Sequence, residues 1–306
     1  MKNTKTRTQK TIEKIQSRVL NFVDSKDYLG YLKFIKKFRT RSFFNQMLIY
    51  ICKEDAQFVM GYKQWIDKFN RIPVACLICR ALANKDCTCE ERTPAIRIPQ
   101  LAPITYTKEN SKGEEEEKIW FKEVYVFDIE DTEPLPDLPI KEVHHEFDLG
   151  IKSVDVEIEF EKWEKIFKNI IWKNDFKFRY ESIYQDTLGG WTDHQAKEIV
   201  VKEQASDSDK FHTILHEIAH MFAHSKEEFE KQGINRFRPL IETEAETIAY
   251  VVADYLGVDT SCYSVGYITS WSKGNEDLLE ASVKQVSKIS NLMIDKIEEQ
   301  LGEVNK

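Results

Sequence analysis

The residues best equipped for chemistry stand together at His216-Glu217-Ile218-Ala219-His220. Helical positions four apart share a face, so His216 and His220 can grip one metal ion. Glu217 then stands beside the ligands, where it can take a proton from a water that the metal activates. The motif lies on an amphipathic pattern made by Phe211, Ile214, Leu215, Ile218, Ala219 and Phe222. A catalytic zinc site needs a third protein ligand and one open position. An acid-rich helical stretch, Glu242-Thr243-Glu244-Ala245-Glu246, begins 22 residues after His220. Glu242 and Glu246 share a face there, and Glu244 points to the other side. Glu242 is the expected third ligand, with Glu246 accepting the spare N–H of a ligand His. The reverse assignment stays open, as does a surface helix of solvated acids. His224 continues the series, but one helix cannot easily aim three ligands at one ion. It is expected to be exposed or at a pocket rim, and His212 is expected to be unremarkable.

A second cluster is Cys76-x2-Cys79-x7-Cys87-x-Cys89. Two close pairs of thiols on a short segment suit a structural zinc knuckle, which would make a second zinc site. The alternative is four reduced thiols in an irregular loop. Cys52 and Cys262 are isolated and read as small buried hydrophobes.

A third group is basic. Residues 1–80 hold 17 Lys and Arg against 6 Asp and Glu, a net of +11 in a chain of net −8, so the remainder carries −19. That asymmetry is typical of a nucleic-acid-binding module joined to something else, or of a solvated basic face. Lys33, Lys36, Lys37, Arg39 and Arg41 lead into Phe43-Phe44-Asn45-Gln46, and Tyr62, Lys63, Trp65, Lys68 and Arg71 follow. Cations interleaved with rings and amides suit single-stranded DNA, the cations tracking phosphates and the rings stacking on bases. The candidate contacts are Arg39, Arg41, Asn45, Gln46, Tyr62, Lys63, Trp65 and Arg71. Tyr31, Phe34 and Phe38 are expected in the core, and Tyr62 and Trp65 are either stacking platforms or core.

These residues need elements to position them. Helical periodicity predicts helices over 8–23, from about Asp27 into Tyr50, and over 61–69. Residues 72–104, with four prolines and four cysteines, read as loops and short strands. Residues 118–128 read as a strand, preceded by an exposed acidic loop over 113–118. Prolines among acids at 129–156 suggest a boundary, with His144 and His145 solvated there. Beyond it come a helix (157–173), strands (176–182 and 197–203) around a Gly189-Gly190 turn, and helices over 208–224, 239–256 and 276–302. The fold class is α+β, with domains over 1–135 and 156–306 and a linker over 136–155. With 306 residues, 42% hydrophobic, disorder throughout is excluded. No apolar run approaches about 18 residues, so no membrane partner is expected. Six Cys are too sparse for a disulfide scaffold, and no secretory signal opens the chain, so a cytoplasmic setting is expected.

The segments RSFFNQMLI (41–49), VMGYKQWIDKFNR (59–71) and FKEVYVFDIEDTEPLP (121–136) resemble the N-terminal domain of ArdC-type antirestriction proteins. GGWTDHQAKEIVVKE (189–203), TILHEIAH (213–220) and residues 242–274 resemble their C-terminal domain, related to the ImmA/IrrE metallopeptidases. The resemblance implies an N-terminal α/β domain that binds single-stranded DNA and a zincin-like, helix-rich domain holding zinc. It also implies carriage on mobile elements or phages, with protection of incoming DNA from restriction. A peptide substrate follows from the peptidase relationship. An ImmA-type protease that cleaves a DNA-bound repressor is the competing expectation. One departure stands out. Residues 72–94 replace a basic, Gly-containing turn, so DNA contacts carried by that turn cannot be transferred, and the cysteine cluster lies within this insertion.

Overall fold

The computed structural model describes residues 25–82, 87–109, 115–141, 156–185, 188–232, 238–258 and 276–304. The expected helix over 8–23, His144, His145 and Cys262 lie outside the described residues. The chain divides into two compact units, one built on residues 37–149 and the other on 150–306 together with the preceding helix, α1 (Ser25–Ile35). Its place in the sequence puts that helix within the expected N-terminal domain, 1–135. It packs instead against α7 (Arg238–Tyr255), where Lys36 just beyond it pairs with Asp254 at 2.6 Å. Tyr31 and Phe34 are buried, as their helical spacing required.

In the first unit the helical pattern over 27–50 breaks. A 3-10 turn at Lys36–Phe38 and a short connection precede α2 (Phe43–Cys52). A three-residue strand, β1 (Val59–Gly61), leads into α3 (Tyr62–Phe69), which ends where Asn70 turns left-handed at φ 53°. A long antiparallel hairpin, β3 (Ile98–Glu109) and β4 (Glu115–Asp128), carries β1 on its other edge, giving the order β1-β4-β3. Glu115, Glu116 and Glu117 open β4, opposite Glu109, Lys108 and Thr107, so most of the supposed acidic loop is strand. The cross-strand backbone ladder overrides the low strand propensity of Glu. A second small sheet pairs β2 (Arg71–Pro73) with β5 (Thr132–Pro134). Two buried carboxylates brace the join. Asp128 accepts from the backbone N–H groups of Gln57 and Phe58, and Asp131 accepts from Ile96 N–H and from Lys53 at 2.7 Å. Buried charges persist only when paired in this way.

The second unit has a three-stranded sheet. β6 (Lys177–Glu181) runs parallel to β8 (Glu198–Lys202), and β7 (Gly190–Asp193) pairs antiparallel as an edge strand. The expected Gly-Gly turn is thus the start of β7, and its glycines serve close approach. A Cβ on Gly189 would lie 2.8 Å from Thr213 Oγ1, and one on Gly190 would lie 2.5 Å from the Val200 carbonyl oxygen. Only glycine lets β7 sit this near both β8 and α5 (Asp207–Ala223). Ser206 caps α5 by accepting from Asp209 N–H. Behind α5, α4 (Val156–Lys173) supplies Trp163 and Phe167, whose rings meet Phe211. α6 (Lys226–Gln232) follows α5, and α8 (Glu276–Val304) packs on α4, α5 and α7. Gln285 of α8 donates to the Ala223 carbonyl, satisfying one of the open carbonyls at the end of α5.

Candidate metal centre

α5 and α7 lie against each other, and their facing side chains converge. His216 Nε2 and His220 Nε2 are 3.1 Å apart, and Glu242 Oε2 lies 3.5 Å from the first and 3.4 Å from the second. With metal–ligand bonds of about 2.0–2.1 Å, tetrahedral ligands stand about 3.3–3.4 Å apart. The three donor atoms therefore form one face of a tetrahedron of the right size, and the donor set leaves the fourth corner for solvent or substrate. His216, His220 and Glu242 are brought together as their spacing and chemistry suggested.

The remaining nitrogens explain how the rings are held. His216 Nδ1–H donates to Glu246 Oε2 at 2.8 Å, and His212 Nε2 reaches the other Glu246 oxygen at 3.1 Å. Burial opposes charge on His216, but the carboxylates of Glu242 and Glu246 outweigh it and raise its imidazole to about 10. Burial likewise resists charge on Glu246, but His212 and His216 prevail and draw it down to about 2. Bonds from His216 and His220 hold Glu242 well below the usual carboxylate range.

On the other ligand, His220 Nδ1 meets His224 Nδ1 at 2.9 Å, and His224 Nε2 meets Glu244 Oε2 at 3.0 Å. If His224 Nε2–H donates to Glu244, then His224 Nδ1 must accept from His220 Nδ1–H. That leaves the His220 Nε2 lone pair aimed at the metal position. His224 lines the cleft, but it is 6% exposed and bonded to the fully buried Glu244, so it is not exposed as one of the two expectations had it. Glu244 does point away from the metal, but into the protein rather than to solvent. His212, expected to be unremarkable, is a partner of Glu246. Each ligand histidine thus has its own carboxylate-terminated support. We predict that Glu244→Leu or His224→Phe lowers metal affinity by about 10–100-fold, the usual cost of losing an outer partner, with affinity read by competition against a chromophoric chelator. Glu242→Ala should lower it more than Glu246→Ala, because only Glu242 offers an oxygen to the metal position.

Glu217 is 4% exposed. Thr192 of the edge strand donates from Oγ1 toward Glu217 Oε2 at 2.8 Å. Burial pushes the Glu217 carboxyl up against the pull of His216 and His220, a direction suited to a group that receives a proton. Thr192, His194, His216, Glu217, His220 and Glu242 line one cleft of about 1090 Å³. Burial lowers the His194 imidazole. The sequence offers no expectation for Thr192 or His194, and none that makes His224 and Glu244 the support of a ligand histidine.

The geometry can be set beside known proteins. Residues 175–253 match the IrrE N-terminal-like domain, Peptidase_M78. The Mn(II)-bound crystal structure of the antirestriction protein ArdC from plasmid R388 matches with a TM-score of 0.53, covering 93% of this chain and 97% of that one at 13% identity. The fold is that of ArdC. The metal-free ArdC crystal structure matches over 85% of each chain at 15% identity, with a TM-score of 0.49. An uncharacterized protein of Bacillus anthracis is 28% identical over 116 residues, which are 37% of this chain and 19% of that protein. This chain therefore spans under a fifth of that relative's length. Among the described residues, no helix is long and apolar enough to cross a membrane.

The expected DNA contacts of the first unit fare differently. Trp65 is fully buried and donates from Nε1 to the Phe127 carbonyl at 2.9 Å, with Phe58 and Phe69 against its ring. It is a core residue and not a stacking platform, because α3 turns that face onto β4. Gln46 is fully buried and donates to the Phe38 carbonyl. Asn45 clamps β3, giving Nδ2–H to the Leu101 carbonyl and accepting Leu101 N–H. Arg71 is bonded to Thr132 through Nε and Nη2, and Arg41 donates to the Val59 carbonyl. Of the eight candidates, Trp65 and Gln46 are fully buried, Arg39, Arg41, Asn45 and Arg71 are half-buried, and Tyr62 and Lys63 are exposed. Trp65→Ala should destabilise the first unit by about 3–5 kcal/mol, the range for truncating a buried aromatic, with urea unfolding followed by circular dichroism as the check.

Proposed function

We propose that this chain is an antirestriction protein of the ArdC kind, whose second unit carries a hydrolytic divalent-metal centre of the metallopeptidase class. The observation that carries the reading is the convergence of His216, His220 and Glu242 with a buried Glu217 beside them. Structural zinc sites are closed and need no general base. Here three donors leave a position open, and Glu217 is placed in the same cleft. A bound divalent ion, zinc being the species these ligands suit, supplies Lewis-acid activation of water and of a substrate carbonyl. The protein's own share is positional. Thr192 holds Glu217 Oε2, which leaves Oε1 to take a proton from the attacking water and return it to the leaving amine. Among the described residues β7 is an edge strand and lines the same cleft, so an extended peptide laid along its outer edge would pass the metal ligands.

The antirestriction part rests on the fold shared with ArdC, itself an antirestriction protein, and on the charge of +11 over residues 1–80. Single-stranded DNA is the proposed partner, with Lys63 and Tyr62 as the accessible contacts. Fluorescence anisotropy of the full chain on labelled oligonucleotides should show tighter binding to single strands than to duplex. Affinity should fall with salt by a slope near 0.7 per neutralised phosphate. Absence of binding at low salt would reject this part.

A second reading, a protease that cleaves a DNA-bound repressor or regulator, is favoured by one contrast. Three candidate metal donors and the buried Glu217 converge in one cleft, whereas five of the eight expected DNA contacts are bonded inside the first unit. Plasmid transformation into a restricting host separates the two. Protection that survives Glu217→Gln supports DNA shielding, and protection lost with it, while DNA binding persists, supports proteolysis.

A further inference from the structure

We propose that Cys76, Cys79, Cys87 and Cys89 hold a second divalent ion of zinc's size and softness in a closed four-thiolate shell, and that this ion keeps Arg80 in place as a latch on β5. The four sulfurs lie within 4.8 Å of one another, with Cys76 to Cys89 at 3.9 Å and Cys79 to Cys87 at 3.5 Å. Zinc–sulfur bonds of about 2.3 Å give tetrahedral edges of about 3.8 Å. A disulfide needs about 2.05 Å, and two separate disulfides would not require all four sulfurs to meet.

The backbone prepares the site. Ala75 N–H bonds the Ala81 carbonyl, closing a turn around the first Cys pair. Leu77 N–H bonds the Thr93 carbonyl, and Arg92 bonds the Ala75 carbonyl, drawing the segment that follows the second pair onto the first. Cys76 is buried and Cys79 exposed, so the cluster straddles the surface rather than filling a core.

The segment needs a staple. Between β2 and β3 the described residues contain no helix or strand, and most of them beyond Cys76 are partly or fully exposed. Arg80, directly after the first Cys pair, is left-handed at φ 57°, a conformation that is strained for a residue with a Cβ. Its guanidinium donates to Glu133 Oε1 at 2.6 Å and to the carbonyls of Glu130 and Thr132 at 2.7 and 2.8 Å. Two of those bonds tie the thiol-bearing segment to β5 and the third ties it to the 3-10 turn just before that strand, and four sulfur–metal bonds would fix the backbone that aims them.

Cobalt(II) loading of the full-length protein tests the shell. We expect intense thiolate-to-cobalt charge-transfer absorption with tetrahedral d–d bands, retained in His216→Ala and lost in the double variant Cys79→Ser, Cys87→Ser. Elemental analysis should give one more zinc per chain in wild type than in that double variant. If the serine variant does not fold, the wild type and His216→Ala decide. A mercurial should release one zinc from wild type and one from His216→Ala, and should speed protease cleavage within residues 74–97. Absence of charge-transfer bands, release of no zinc from His216→Ala, or unchanged protease resistance would overturn the proposal.

Discussion

His216→Ala is expected to strip one equivalent of divalent metal from each chain, and His220→Ala to do the same. Among the described residues the two Nε2 atoms and Glu242 Oε2 are the donors that converge on the site, so either change removes one of the three. The loss in affinity should exceed the about 10–100-fold that follows removal of an outer partner. A second consequence is lower stability of the second unit, because an ion bound only by the folded state stabilises it by mass action. At a free metal concentration about 100 times Kd that contribution is about 2.7 kcal/mol. The thermal midpoint of wild type should therefore fall on adding a chelator, and that of His216→Ala should not respond. Elemental analysis giving the same metal content in wild type and both variants would reject the site, whatever happens at the cysteine cluster.

Glu217→Gln is expected to separate binding from chemistry. Glutamine keeps the length of the side chain and can still meet Thr192 Oγ1, but its amide cannot take a proton. Metal content should stay at the wild-type value, since Glu217 is not one of the three donors. Any peptide cleavage should fall by on the order of 10²–10⁴-fold, the usual worth of a positioned acid–base group. A mixed peptide library incubated with wild type and variant, with products read by mass spectrometry, makes the comparison across many sequences at once. Cleavage that continues at the wild-type rate in the variant would remove Glu217 from the mechanism. Metal lost with the substitution would make it a ligand rather than a base.

The HExxH pair is legible in the sequence because helical geometry is local. Residues four apart differ by about 40° around the axis, so two histidines at that spacing must share a face. The large helices and the β6 and β8 strands are legible for the same reason, since their apolar periodicity is contained in a short window. Glu242 and Glu246 share a face by their spacing, so the sequence offers either as the third ligand; which oxygen comes near His216 depends on how α7 lies across α5.

The parts decided by tertiary structure have a common cause, which is packing between elements remote in sequence. His224 stands about 80° around the helix from His216, too far to reach the same ion. Only the approach of Glu244 from α7, at 3.0 Å, turns it into the support of His220. Trp65 and Gln46 have the composition of a nucleic-acid surface, yet β4 and the Phe38 carbonyl claim them, because a buried N–H must find an acceptor. Gly189 and Gly190 look like a turn in isolation. The Val200 carbonyl and the Thr213 side chain, pressed against them from β8 and α5, leave room for nothing larger and make them the entry to the strand that carries Thr192 to Glu217.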